Sequence, residues 1–147
     1  DACLPEGRAH DLVLFGGGAN GLEDVLAGVL KTQGRVLSPD PNPGEGFYYR
    51  SDNLSLSKVG VPMIAPMGGY DLLDGGIAAS KAIRDDYFAH RYHQPFDEFN
   101  ANWDLSGPVE DLQAFYMFAN LLANSDQWPD WYKGNEFRPA RDRSMKQ

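Results

Sequence analysis

Two strands and one helix are predicted by the apolar positions in the first third of the chain. Residues 10–15 hold four consecutive large apolar side chains, typical of a short buried strand. Asn20 and Glu23 then form a capping-box pattern, and apolar residues recur at helical spacing until Gly34. Residues 35–38 are predicted to form a second strand. The prolines that follow it favour a loop.

The remaining pattern is weaker until the last third of the chain. Residues 53–59 predict a short helix, and residues 61–66 a third strand that two prolines weaken. A glycine-rich loop at 68–76 leads into a polar, short-helical stretch. Pro108 opens the longest helix, because a proline in the first turn costs no hydrogen bond. Its buried face is expected to comprise Leu112, Phe115, Tyr116, Ala119 and Leu122.

Alternating strands and helices indicate an α/β fold with a mostly parallel or mixed sheet flanked by helices. No repeat or linker divides residues 1–147, so we expect a single domain, with residues 128–147 as an irregular tail. The chain begins at Asp1 without a methionine, and we expect it to be a portion of a larger protein.

Composition restricts the classes of partner. The 147 residues are 42% hydrophobic and 12% aromatic, which favours a folded domain over disorder. The net charge of -8 argues against nucleic acid or an anionic membrane surface as the main partner. No stretch has the length of a membrane span. Cys3 is the only cysteine, so neither an internal disulfide nor a thiolate zinc site is expected.

The segment 92–98, Tyr-His-Gln-Pro-Phe-Asp-Glu, carries the most specific candidate chemistry. A neutral imidazole is a common metal ligand, and its second nitrogen usually needs an acceptor. Asp97 or Glu98 could accept from His93. The alternative is a surface turn with an incidental histidine. His90 is expected to be a surface or packing residue.

The loop at Gly16 to Gly21 fits the G-x-G-x-x-G pattern of dinucleotide-binding folds, with Asp40 near the position of a ribose-binding acid. An NAD(P)-binding oxidoreductase fragment is therefore an alternative. Against it, Asp40 lies between two prolines, and Asn20 is accounted for as a helix cap.

Three groups of residues resemble one family. They are Arg50-Ser51-Asp52 with Gly60-Val61-Pro62, the block 91–98, and Trp103-Asp104-Leu105-Ser106-Gly107. In this order they resemble the C-terminal half of the co-catalytic di-zinc exopeptidases, which include bacterial secreted aminopeptidases and glutamate carboxypeptidase. The resemblance implies the zinc-exopeptidase (phosphorylase/hydrolase-like) fold and cleavage of N-terminal peptide bonds by metal-activated water.

The resemblance also implies roles for individual residues. His93 would ligate one of two zinc ions, and Tyr92 would donate a hydrogen bond to the oxyanion of the tetrahedral intermediate. Asp97 would orient His93. The group Arg50, Asp52 and Asn53 would lie near the substrate, with Asn53 where many members have histidine. Asp1 stands where a ligand of the other zinc is expected; the alternative is a terminal residue without a role.

The family's bridging aspartate, general base and remaining ligands have no counterpart here, because the sequence contains no His-x-Asp or Glu-Glu pair. We therefore expect the isolated chain to be inactive. The missing N-terminal half and a peptide substrate are the expected partners, with possible self-association through an exposed apolar face. A non-catalytic interaction module is a further alternative. A periplasmic or secreted location is implied by the resemblance only.

Overall fold

The fold is built on a three-stranded mixed sheet with the order β2-β1-β3. The computed structural model describes residues 4–146. Strand β1 is Asp11–Phe15, β2 is Val36–Pro39 and β3 is Ala65–Met67. Strand β2 runs parallel to β1, with Asp11 opposite Val36, whereas β3 runs antiparallel. The first two predicted strands are confirmed. The third begins four residues later than predicted, beyond Pro62.

Five helices surround this sheet within residues 4–146. They are α1 (Leu22–Thr32), α2 (Asn53–Lys58), α3 (Gly76–His90), α4 (Ser106–Ala123) and α5 (Arg138–Ser144). Two 3₁₀ turns, Pro43–Glu45 and Phe47–Arg50, follow β2. Helix α3 is longer than the short stretch that the sequence predicted. Within the described residues, no helix is both long and apolar enough to cross a membrane.

The start of α1 explains why the glycine loop turns where it does. The side-chain Oδ1 of Asn20 accepts from the N–H of Leu22, and the Glu23 carboxylate accepts from the N–H groups of Gly18, Ala19 and Asn20. Leu22 begins the helix, whereas the three amides bound by Glu23 lie in the loop that precedes it. Half of the predicted capping box is therefore present: Glu23 accepts from the N–H of Asn20, but the N–H of Glu23 donates to the backbone carbonyl of Asn20 and not to its side chain.

The main core lies between the sheet and helices α1 and α4. Leu12, Leu26, Val29, Leu30 and Ala114 form one buried cluster. Helix α4 approaches through small residues: a Cβ on Gly107 would lie 1.9 Å from the carbonyl oxygen of Gly7.

This close packing corrects the predicted buried face of α4. Leu112 and Tyr116 are 60% and 74% exposed, while Gly107, Asp111 and Ala114 are the buried positions. Phe115 is only partly buried. Phe115 and Phe118 pack against the edge of the core cluster. Leu112 and Tyr116 therefore lie on the outer side of the helix.

The segment 128–147 is not an irregular tail throughout, because it includes helix α5 and part of the core. Trp131 is 1% exposed, and its indole N–H donates to the carbonyl of Gly60 at 3.0 Å. With Phe137, Tyr48 and Ala19 it forms a second buried cluster. The prediction failed here because the burial comes from contacts with residues about seventy positions earlier, which local periodicity does not record.

Candidate functional site

The histidine segment lies at the C-terminal end of helix α3. The backbone N–H groups of Arg91 and Tyr92 both donate to the carbonyl of Tyr87, at 2.8 and 2.9 Å, and so terminate the helix. His93 follows with φ of 57°, in the left-handed region. That region is uncommon for residues other than glycine, and such residues concentrate at functional sites. The turn thus presents His93 on the surface in a constrained backbone conformation.

Tyr92 and His93 form an exposed stacked pair. Their ring centroids lie 3.9 Å apart with planes 18° from parallel, and Tyr92 is 39% exposed. The Tyr92 ring also packs edge-on against Phe88 at 5.0 Å and against Tyr87 at 5.9 Å. The aromatic face of α3 therefore holds Tyr92 in place, while both the phenol and the imidazole remain accessible.

Asp97 lies beside this pair but does not hydrogen-bond to His93 in the described part of the chain. Its Oδ2 instead accepts from the hydroxyl of Tyr87 at 2.8 Å. Burial, followed by this hydrogen bond, raises the pKa of Tyr87. The Asp97 bond connects the turn to α3, and the role of Asp97 toward His93 stays a prediction.

His90 is an exposed surface histidine. Its Nδ1 lies 3.1 Å from Oδ1 of Asp86, and Arg91 binds the other oxygen of that carboxylate at 2.7 Å. The hydrogen bonds from Arg91 and then from His90 lower the pKa of Asp86. His90 thus has a charged partner on its own helix.

The segment with Arg50, Asp52 and Asn53 lies elsewhere in the fold. Asn53 is buried and donates to the carbonyl of Tyr48 at 3.2 Å. Asp52 is an exposed residue that precedes α2. The Arg50 guanidinium lies 5.4 Å from the centroid of the Phe47 ring. Over residues 4–146, no hydrogen bond, ion pair or ring contact joins these three residues to the histidine turn.

A cleft of about 480 Å³ lies between residues 40–47 and helix α3. Phe47, next to Arg50, lines one part of the cleft, and Phe88, next to Tyr92, lines another. Phe15 at the end of β1 stacks on Phe47 with 5.1 Å between ring centroids. Residues that contact Arg50 and Tyr92 thus line the cleft, whereas the predicted site residues within 4–146 are not part of its lining. No local pattern in the sequence indicates this cleft.

The cleft also contains a buried charged group that the sequence analysis missed. Arg84 on α3 is 6% exposed, and its guanidinium stacks on the ring of Tyr70 at 3.8 Å. It pairs with Glu6 at 2.8 Å, and burial raises the pKa of Glu6 against the opposing effect of Arg84. A buried arginine needs such a partner. No local signal marks Arg84, because its partner lies 78 positions earlier in the chain.

The donor set for a metal is incomplete within residues 4–146, where no group of three or more histidine, cysteine, aspartate or glutamate residues could hold an ion. Asp1, the predicted second ligand, lies outside the described residues. His93 offers an accessible imidazole but lacks neighbouring ligands. The described residues therefore do not make a zinc site by themselves.

The family assignment rests on the first 117 residues of the sequence. The sequence model of Peptidase family M28 matches residues 1–117. This chain belongs to peptidase family M28. M28 membership indicates a zinc-dependent metallopeptidase. Neither the curated proteins nor the solved structures gave a match.

The alternative of an NAD(P)-binding oxidoreductase has no support. The chain belongs to family M28, and the amides of the glycine loop are already hydrogen-bonded. A pyrophosphate would need free amides at the start of α1. The Glu23 carboxylate already accepts from three of them, at 2.6 to 3.0 Å. A phosphate would have to displace this like-charged side chain.

Proposed function

We propose that the protein containing this chain is an aminopeptidase-type exopeptidase that depends on two zinc ions and removes residues from the N-terminus of peptides. The observation that carries the proposal is the exposed Tyr92–His93 pair, because the Tyr92 ring contacts Phe88, which lines a cleft large enough for an amino-acid side chain. Membership of family M28 supports the hydrolytic chemistry.

In this proposal His93 supplies one imidazole ligand, and the other ligands come from outside residues 4–146. The hydroxyl of Tyr92 donates a hydrogen bond to the carbonyl oxygen of the scissile bond as negative charge develops there. A donor held in a fixed orientation stabilises that charge without reorganisation during the reaction. The packing of Tyr92 against Tyr87 and Phe88 provides the fixed orientation.

We further propose that this chain is the C-terminal half of the peptidase domain and is inactive in isolation. The outer side of α4 supports this, because Val109, Leu112 and Tyr116 are each about half exposed or more and line one shallow depression. Together they make an apolar surface of a kind that usually contacts a partner. The proposed partner is the other half of the same protein, with self-association as the alternative. Export to the periplasm or outside the cell belongs to the same proposal.

The test compares His93→Ala with His90→Ala in the longer protein. We expect His93→Ala to lower the zinc content and to abolish hydrolysis of an amino-acid anilide. The control His90→Ala removes an exposed imidazole one helical turn away and should preserve both. Equal zinc content and activity in the two variants would refute the role of His93. Zinc-dependent hydrolysis by the isolated 147-residue chain would refute its proposed inactivity.

A further inference from the structure

The cleft between residues 40–47 and helix α3 has an apolar inner surface. Phe15 is buried, Met67 is half-buried, and Phe47 stacks on Phe15 with planes 14° from parallel. Phe88 contributes an aromatic surface from α3 and also contacts Tyr92. An aliphatic side chain that leaves water for this surface would gain contacts from several sides, as in most small-molecule sites.

The two cations that line the cleft are already paired with carboxylates. Arg84 is neutralised by the buried Glu6, at 2.8 Å. Lys81 forms an ion pair with Asp85, one helical turn later on α3. Arg84 is therefore compensated by a buried carboxylate, and the exposed charge of Lys81 is balanced by that of Asp85.

Two further carboxylates in the cleft have no cationic partner. Asp40 accepts only the backbone N–H of Asn42, at 2.8 Å, among the interactions of residues 4–146. The Glu45 side chain has neither a hydrogen bond nor an ion pair within the same range. Both residues line the cleft, and Glu45 is exposed. Among the side chains that line the cleft, the paired groups are neutral and two negative charges remain next to an apolar surface. The Arg50 guanidinium lies outside this lining, near the Phe47 ring, and donates to the backbone carbonyl of Glu45 rather than to its carboxylate.

We propose that this cleft binds the side chain of the substrate's N-terminal residue and selects a cationic head on an aliphatic stem, as in lysine or arginine. The inference rests on the proposed peptidase function. The stem would contact Phe47 and Phe88, and the cation would lie near Asp40 and Glu45. An acidic side chain would meet two like charges there, and a small one would leave the apolar surface uncovered.

Ligand binding by the 147-residue chain tests the selection without requiring catalysis. The probes are lysine amide and norleucine amide, which share the α-amine and the aliphatic stem and differ in the terminal ammonium. In an NMR titration at low salt, lysine amide should bind about five-fold more tightly, the upper end of what one solvent-exposed ion pair contributes. The difference should shrink as salt increases.

Single substitutions then locate the effect. Asp40→Asn and Glu45→Gln should each reduce the preference for lysine amide and leave the affinity for norleucine amide unchanged. The matched control is Asp126→Asn, at an exposed residue outside the cleft. Urea unfolding midpoints should show that all three variants fold. Equal affinity for the two amides, no binding of either, or equal effects of Asp40→Asn and Asp126→Asn would overturn the proposal.

Activity of the longer protein separates this inference from the proposed function. Lysyl, leucyl and glutamyl anilides are compared by kcat/KM. If all three anilides are hydrolysed without a preference for lysine, the proposed selectivity of the cleft is refuted and the proposed peptidase function is not. If lysine amide is bound preferentially but no anilide is hydrolysed, the proposed peptidase function is refuted and the selectivity of the cleft is not.

Discussion

The buried pair between Glu6 and Arg84 connects the N-terminal segment to α3, the helix that precedes the histidine turn. The side chains are 3% and 8% exposed, with 2.8 Å between Oε1 and Nη2. The hydroxyl of Ser80 donates to the other Glu6 oxygen at 2.7 Å, and Arg84 stacks on Tyr70. Removing one partner from such a pair leaves a buried charge without compensation.

Arg84→Met keeps most of the side-chain volume and removes the charge. We expect it to lower the free energy of unfolding by about 3–5 kcal/mol, because Glu6 would remain buried and unpaired. The double variant Glu6→Gln/Arg84→Met should recover at least half of this loss, since a neutral amide costs less to bury than a carboxylate. Urea unfolding with a constant m-value measures both quantities.

The pH dependence of stability provides an independent check. Burial raises the pKa of folded Glu6 above its usual value of 4.5. A group whose pKa is higher in the folded than in the unfolded state contributes fully to stability below its unfolded-state pKa. That contribution is lost as pH rises through its folded-state pKa. Glu6 should therefore oppose stability increasingly above pH 4.5. In Arg84→Met the fall in stability caused by ionisation of Glu6 should extend to higher pH. In Glu6→Gln this fall should be absent.

Lys81→Met is the control, because Lys81 lies on the same helix in an exposed ion pair with Asp85. Exposed pairs contribute about 0–1 kcal/mol, so this variant should unfold near the wild-type midpoint. If Arg84→Met lowers the free energy of unfolding no more than Lys81→Met does, the buried pair does not contribute as proposed. Strict additivity of Glu6→Gln and Arg84→Met would also contradict it, because residues in direct contact should show coupling.

Three further variants test the site, the loop and the C-terminal segment. Tyr92→Phe in the longer protein should lower kcat by about 10²–10³-fold with little change in KM, as for loss of one oxyanion donor; an unchanged kcat would refute that role. Glu23→Ala should cost about 1–3 kcal/mol in urea unfolding, because three amides lose their acceptor; an unchanged midpoint would contradict the cap. Trp131→Ala should cost about 3–5 kcal/mol, whereas Trp128→Ala, at a residue 75% exposed, should cost far less.

Short-range features of the chain could be predicted because they depend on neighbours in sequence. The capping pattern at Asn20 and Glu23 indicated the start of α1, and the apolar run before Gly16 indicated β1. The histidine turn could be recognised because Pro95 and the residues around His93 form a compact motif. For the same reason the family resemblance was visible in the sequence, and the match to the M28 model confirmed the family.

The tertiary structure decided features that join distant parts of the chain. The cleft combines residues from the end of β1, the loop after β2 and helix α3, and no single segment carries its pattern. Trp131 is buried because Gly60 and Phe137 surround it, and a Cβ on Gly60 would lie 2.4 Å from the backbone of Arg141.

The sequence by itself determined the order of the main elements, the turn that presents Tyr92 and His93, and the family. Those features follow from hydrophobic periodicity, capping and a short motif, all of which act over a few residues. Only the tertiary structure decided which side of α4 is buried and that Arg84 is paired with Glu6. Packing and burial are properties of surfaces that meet across the fold, so their energies depend on contacts that sequence spacing does not record.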